Sequence, residues 1–252
     1  MMRLDPRAAA VGVRLVVHEA LDSTNAEALK LAREGERGPL WIVAKRQTAG
    51  RGRRGRTWIS QRGNLFATFL LTAAGPPEHR PQLSLVAALA LHDALVEIAA
   101  SLKPRIAIKW PNDLLLDQAK LAGILVEGEG GEDGAVAIGI GVNCASHPAK
   151  TEYPATDLAT AGIAISSANL MQPLSLKMVG RLAQWNGGEG FSTVRADWMA
   201  RAAWIGENVG VRLADRELSG TFEGLDEAGH LVLRLPDGRV ETITAADVVI
   251  LR

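Results

Sequence analysis

Near Ile205 the chain changes pattern, and that change limits the folds open to it more than any other feature. Before it, apolar runs of strand length alternate with longer helical segments. After it come only short β-type runs, separated by turn sequences such as Asp226-Glu227-Ala228-Gly229 and Pro236-Asp237-Gly238. Roughly 45 residues of this kind predict a small β-barrel. The expected organisation is an N-terminal extension at 1–12, a mixed α and β domain at 13–204, and a β-barrel domain at 205–252. With 252 residues, 47% of them hydrophobic and 22% charged, the chain can bury a substantial core.

Within the larger domain the patterning predicts strands at 13–18, 40–44, 65–72 and 106–110, and a strand pair at 121–127 and 135–142. Helices are expected at 25–34, 81–102, near 174–185 and near 191–203. Thr24 with Glu27 three residues later is a capping-box pattern that starts the first of these helices. Pro111 stops the strand at 106–110. The stretch Gly128-Glu129-Gly130-Gly131 opens the connection between the paired strands. Residues 145–170, rich in Ala, Ser, Thr and Pro, read as an irregular surface segment. The most apolar stretch, 83–102, is interrupted by His92, Asp93 and Glu97, so it reads as a buried amphipathic helix and no membrane span is expected. No signal peptide is expected at the start, since Arg3, Asp5 and Arg7 are not followed by a long apolar run.

Charge and composition exclude several function classes. The 28 basic and 28 acidic residues cancel, whereas a protein that coats nucleic acid or a membrane carries a basic excess. The single cysteine, Cys144, rules out an internal disulfide framework and suits a cytoplasmic location. It reads as a small buried filler, because no His/Asp pair is positioned to activate it. The five histidines lack zinc-ligand spacing. Neither a Walker P-loop nor a G-x-S-x-G elbow is present.

The stretch Gln47-Thr48-Ala49-Gly50-Arg51-Gly52-Arg53-Arg54-Gly55-Arg56-Thr57-Trp58 is the most informative. It contains G-x-G-x-x-G formally. Yet arginines fill the places where a dinucleotide-binding turn needs small residues, and Trp58-Ile59-Ser60 does not open a helix. Four arginines within six residues repel one another, and the glycines add backbone entropy. Such a loop is expected to be mobile when empty and to be ordered by a phosphate or a carboxylate. Taken alone, it fits nonspecific RNA binding or a solvated charge run as well.

A second constellation is Lys109-Trp110-Pro111-Asn112-Asp113, followed by Lys120-Leu121-Ala122-Gly123-Ile124-Leu125-Val126-Glu127. A lysine in an apolar strand needs a charge to meet. Lys109 alternates with Ile106 and Ile108, so it is free to point into a site. Asp113 is a candidate magnesium ligand, and Gly123 permits close approach to the backbone. A strand-turn-strand with solvent-facing lysines is the plainer alternative. Asn143, after Gly139-Ile140-Gly141-Val142, suits an adenine edge, a ribose or a turn.

Together with Ser23-Thr24-Asn25, and in this order and spacing, these stretches resemble the biotin protein ligase family from about residue 13 to the end. The resemblance implies an α+β fold: a mixed central β-sheet with helices packed on one side, as in class II aminoacyl-tRNA synthetases, followed by a small SH3-like β-barrel. It implies two steps. The biotin carboxylate attacks the α-phosphate of ATP, giving biotinyl-5'-AMP and pyrophosphate. A lysine of a biotin carboxyl carrier protein, such as that of acetyl-CoA carboxylase, then takes the biotin and releases AMP. ATP and biotin are the substrates, with Mg2+ as the metal.

By the same resemblance, Lys120, Arg53 and Lys109 are the catalytic candidates. Ser23, Thr24, Asn25, Gln47, Gly50, Arg51, Arg53, Lys120 and Gly123 form the biotin pocket. Arg53, Arg54, Arg56, Trp58, Lys109, Asn112 and Asn143 serve ATP, with Trp58 packing against adenine and Asn143 bonding to it. Some family members add an N-terminal DNA-binding module. Only about 12 residues precede the catalytic domain here, so no DNA partner is expected. Members are monomers or dimers joined through sheet edges, and a homodimer stands open. The alternatives are a lipoate protein ligase of related fold and, from another class, a nucleic-acid-binding module built on the arginine loop.

Overall fold

The computed structural model describes residues 2–72, 74–130 and 134–251. In chain order the elements are α1 (Pro6–Ala10), β1 (Arg14–His18), α2 (Thr24–Arg33), β2 (Leu40–Ala44), β3 (Leu65–Leu71) and α3 (Leu83–Ile98). Next come β4 (Ile106–Lys109), β5 (Asp113–Leu116), β6 (Ala119–Gly128), β7 (Val136–Val142), α4 (Ser167–Trp185) and α5 (Phe191–Met199). The last are β8 (Asn208–Arg212), β9 (Glu217–Leu225), β10 (Leu231–Arg234), β11 (Val240–Ile243) and β12 (Asp247–Ile250).

Strands β1 to β7 form one mixed sheet in the order β1-β2-β3-β7-β6-β5-β4, and β8 to β12 form a second in the order β11-β10-β9-β8-β12. The pairings within the second sheet are antiparallel, as the run of short strands predicted. Strand β5 was not anticipated. Its run Asp113-Leu114-Leu115-Leu116 is too short to signal itself beside two longer neighbours. The expected connection from Gly128 ends, at Gly131, outside the described residues.

The sheet is packed on both faces. Strand alternation sends Trp41 and Val43 to one side, where they join α3, and sends Leu40 and Ile42 to the other, where they meet Ala28 of α2. Helices α3, α4 and α5 therefore share one face, as expected. Helix α2 alone lies on the opposite face, which the expectation of helices on one side did not include. Helix α3 is also buried almost all round, from Leu83 to Leu95. It was expected to be amphipathic, but a helix enclosed by a sheet on one side and helices on the other needs apolar residues throughout. One helical stretch among the described residues, Pro77–Ile98, is long and apolar enough to cross a membrane; in this fold it forms the centre of the core. His92, the polar interruption, turns Nδ1 to Asp93, and Asp93 in turn pairs with Arg181 of α4.

The segment before β1 packs onto the large domain. The hydroxyl of Ser175 in α4 accepts a hydrogen bond from the Asp5 amide at 3.0 Å, and Ala8 is buried in the main core. At the other end, the linker after α5 runs along β4. The Ile108 amide donates to the Arg201 carbonyl and the Ala203 amide to the Ile108 carbonyl, both at 2.8 Å. This pairing covers the β4 edge and seats the second sheet against the first. The Trp110 indole then donates to the Gly229 carbonyl at 3.0 Å.

Candidate functional site

The register of the large sheet creates the site. Directly opposed residues run across all seven strands as His18, Ala44, Phe66, Gly141, Gly123, Asp113 and Lys109. They lie on the α2 face. The middle of this row carries no side chains, so the sheet there is bare backbone, and Gly139 on β7 extends the gap. A methyl group at Gly139 would lie 2.4 Å from Asn25 Oδ1, and one at Gly141 would lie 2.5 Å from the Trp58 ring. Above this floor is a cavity of about 800 Å³, bounded by the 47–60 loop and the second sheet.

One end of the cavity is a neutral hydrogen-bond network. Ser23, in extended conformation, caps α2 by accepting from the Ala26 amide. The expected cap was Thr24. Because Ser23 takes that position, the Thr24 amide and hydroxyl are free to donate to Gln47 Oε1, at 2.8 and 3.1 Å. Gln47 Nε2 donates to Ser60 Oγ at 3.0 Å. Thr68 Oγ1 lies 2.6 Å from Asn25 Oδ1 and 2.8 Å from Thr24 Oγ1. At its border Asn25 Nδ2 donates to the Leu125 carbonyl and to the Glu127 carboxylate, which ties the neutral set to the charged groups beyond it. Gly50 sits behind this network. A side chain there would meet Ser60 Oγ and the Trp58 carbonyl at 2.5 Å.

The other end is cationic. Asp113 lies between two lysines, with Lys120 Nζ at 2.6 Å and Lys109 Nζ at 3.8 Å. Burial pulls the Lys109 ammonium below its ordinary value, while Asp113 pulls it back up. Arg53 Nη1 donates to Asn112 Oδ1 at 3.3 Å and to the Ala246 carbonyl at 3.2 Å. Arg56 reaches Asp247 at 2.7 Å and Arg54 reaches it at 3.6 Å. Burial alone would raise the Asp247 carboxyl. Its hydrogen bond to Arg56, with the charges of Arg56, Arg54 and Arg53, brings it below the usual carboxylate range. Arg51 pairs with Glu127 at 3.2 Å. The repulsion expected among the four arginines is thus offset by carboxylates, one of them from the second sheet. The loop closes on itself, with the Gly52 amide bonded to the Arg56 carbonyl at 2.7 Å.

Most of the residues singled out from the sequence line this one cavity. Gly50 and Arg54 do not. Gly50 packs behind the lining, and Arg54, at a left-handed φ of 55°, is turned onto Asp247. Asn143 lines the cavity, but its amide donates to the Thr156 carbonyl at 3.1 Å. The Trp58 ring rests over Gly123 and Gly141, with Lys120 Nζ 5.5 Å from its centroid. Asp113, the candidate metal ligand, is held by the two ammonium groups of Lys120 and Lys109. Among the described residues no cluster of three His, Cys, Asp or Glu side chains could hold a metal. Cys144 is buried and its thiol is pushed up to about 12 by that burial, consistent with an inert filler.

Sequence reasoning missed Ser60, Thr68, Tyr153, Trp204 and Asp247, all of which bond to or line the site. Thr68 left a trace as the one polar residue in Leu65-Phe66-Ala67-Thr68-Phe69-Leu70. Asp247 left none, because its role depends on how the second sheet is seated.

Residues 17–143 match the Biotin/lipoate A/B protein ligase family, and residues 204–251 match the Biotin protein ligase C terminal domain. The chain belongs to the biotin protein ligases. It is 45% identical over 235 residues to the Biotin--[acetyl-CoA-carboxylase] ligase of Paracoccus denitrificans, covering 90% of this chain and 96% of that one. Its fold is similar to that of the biotin protein ligase from Aquifex aeolicus in complex with biotin and ATP, with a TM-score of 0.78, 27% identity, and coverage of 94% and 99%. It is also similar to the Leishmania major biotin protein ligase in complex with biotinyl-5-AMP, with a TM-score of 0.69, 28% identity, and coverage of 92% and 99%.

Proposed function

We propose that the two ends of the cavity divide the substrates of a biotin--protein ligase, the neutral end taking the biotin ring and the cationic end taking ATP. The observation that carries this reading is the glycine floor, which joins the Thr24–Gln47 network to the Lys109–Asp113–Lys120 cluster in one continuous trough. A cavity of about 800 Å³ lies within the usual range for small-molecule sites.

The ureido group of biotin is a neutral donor and acceptor. Ser23, Thr24, Asn25 and Gln47 offer complementary groups, and a site built for such a group strongly rejects analogues that lack it. Attack of the biotin carboxylate on the α-phosphate brings two anions together, so the barrier is largely electrostatic. Lys120, beside the glycine floor, is suited to meet both anions. Arg53 is suited to close over biotinyl-AMP, and Lys109 and Arg56 to face the departing pyrophosphate. Mg2+ is proposed to arrive with the triphosphate rather than to occupy a protein cage, since this ion takes few protein ligands and keeps water.

In the second step a carrier-domain lysine attacks the mixed anhydride and AMP leaves. The biotin carboxyl carrier domain is the proposed acceptor, and the cytoplasm the proposed compartment. A homodimer formed by strand addition would use the β1 edge, because the linker covers β4. Arg51, Arg54 and Arg56 are paired with carboxylates and Arg53 is bonded to Asn112 and the Ala246 carbonyl, which gives no support to a nucleic-acid surface. The family match of the C-terminal domain favours biotin over lipoate. The test is incubation with ATP, Mg2+, biotin and a carrier domain. The expected result is biotin-dependent pyrophosphate release and a carrier heavier by one biotinyl group. Turnover with lipoate but not biotin would reject the reading.

A further inference from the structure

Lys109 is held in a way that its place in β4 does not by itself require. Its ammonium lies 5.1 Å from the centroid of the Tyr153 ring and 5.5 Å from that of Trp204. A cation withdrawn from water gains from the electron-rich faces of such rings. Neither ring belongs to the sheet that carries the lysine, and both are tied to the C-terminal part of the molecule. The Tyr153 hydroxyl accepts a hydrogen bond from Arg212 Nη1 at 2.8 Å, and Arg212, on β8, also pairs with Glu152. Trp204 follows the linker, which is hydrogen-bonded on both sides of Ile108, one residue before Lys109. Trp204 holds a left-handed φ of 67°, a costly conformation for a bulky residue. Its indole donates to Gln118 Oε1 at 2.8 Å. Strain retained at a residue whose ring faces a buried cation points to a functional constraint.

We propose that Trp204 and Tyr153 are positioning residues, two jaws anchored to the C-terminal domain that fix the Lys109 ammonium at the triphosphate end of the cavity. The proposal rests on the reading of Lys109 as a phosphate-facing group. One jaw is set by the linker into the domain and the other by the domain's first strand. Seating that domain and placing the charge are therefore a single event, which gives the domain a part in adenylation. Aromatic faces orient a cation without neutralising it, so the charge stays available for the nucleotide.

Pyrophosphate exchange with the full chain tests the proposal. Trp204→Leu should raise KM for ATP about three- to tenfold and leave KM for biotin unchanged, with Trp204→Phe intermediate because it keeps a ring. Tyr153→Leu should repeat the pattern, and it carries the test if Trp204→Leu fails to fold. In a Lys109→Gln background Trp204→Leu should add nothing further. Additive effects in the double variant, or an equal rise in KM for both substrates, would overturn the clamp. Lys109→Gln with an unchanged KM for ATP would overturn the phosphate-facing reading of Lys109, and the clamp with it.

Discussion

The two ends of the cavity are built on opposite principles. Around Thr24, Gln47 and Thr68 the groups are uncharged and bonded to one another within the first sheet and its adjoining loop. Around Lys120, Arg53 and Arg56 the groups are charged, and their partners are carboxylates or carbonyls, one of them, Asp247, on the second sheet and one, Ala246, just before it. The first arrangement suits a neutral ligand whose shape must be read. The second holds cations ready with internal anions that stand where substrate charge would be welcome. A neutral network loses stability when any member is removed, because a buried partner is left unsatisfied. A half-exposed ion pair loses little, because solvent screens it.

The largest effect should come from the cationic end. Lys120→Ala is expected to lower biotin-dependent pyrophosphate exchange at least about a hundredfold, the scale seen when a group stabilising transition-state charge is lost. Exchange at the normal rate would break the assignment of that end to chemistry. Arg53→Gly should leave adenylate formation measurable while releasing biotinyl-AMP about tenfold faster, the loss of one charge-assisted contact. Tighter retention of the intermediate, followed by radiolabelled product on a desalting column, would contradict the closing role.

At the neutral end, Thr68→Val should cost about 1–3 kcal/mol of folding stability by leaving Asn25 and Thr24 short of a partner. Urea unfolding measures this, and a neutral result would show that the network is not cooperative. The smallest effect is expected for Asp247→Asn, whose arginine partners are substantially exposed. Its stability cost should stay below about 1 kcal/mol. A larger loss in the same urea experiment would erase the contrast between the two ends.

Much of the fold was legible because its signals are local. The strand at 40–44 was bounded correctly from Leu40-Trp41-Ile42-Val43-Ala44, and the second sheet was announced by its turns. Short β5 and the true cap of α2 were not, since Ser23 and Thr24 are both favourable capping residues and the capping-box spacing to Glu27 pointed to Thr24, whereas in the fold Thr24 is bonded to Gln47. In the site, residues within contiguous motifs were found and those brought in by topology were not. Tyr153 lies in the segment read as irregular surface, yet the Lys120 amide bonds to the Pro154 carbonyl, which carries Tyr153 to Lys109. Arg54 has the same composition signal as its neighbours, and only its backbone angle removes it from the lining.

Three missing methyl groups, at Gly123, Gly139 and Gly141, fix how deep Trp58 and Asn25 can settle onto the sheet, and so where the bottom of the trough lies. Because they belong to two hydrogen-bonded strands in the middle of the sheet, rearranging the surrounding loops alters the walls and the mouth but leaves the bottom where it is. A lineage adapting this scaffold to a thicker ring system would have to bend the sheet itself. Bulk added at Gly139 would press on Asn25, and bulk at Gly123 or Gly141 on the Trp58 ring, so it would disturb the lining of the trough before it met a ligand.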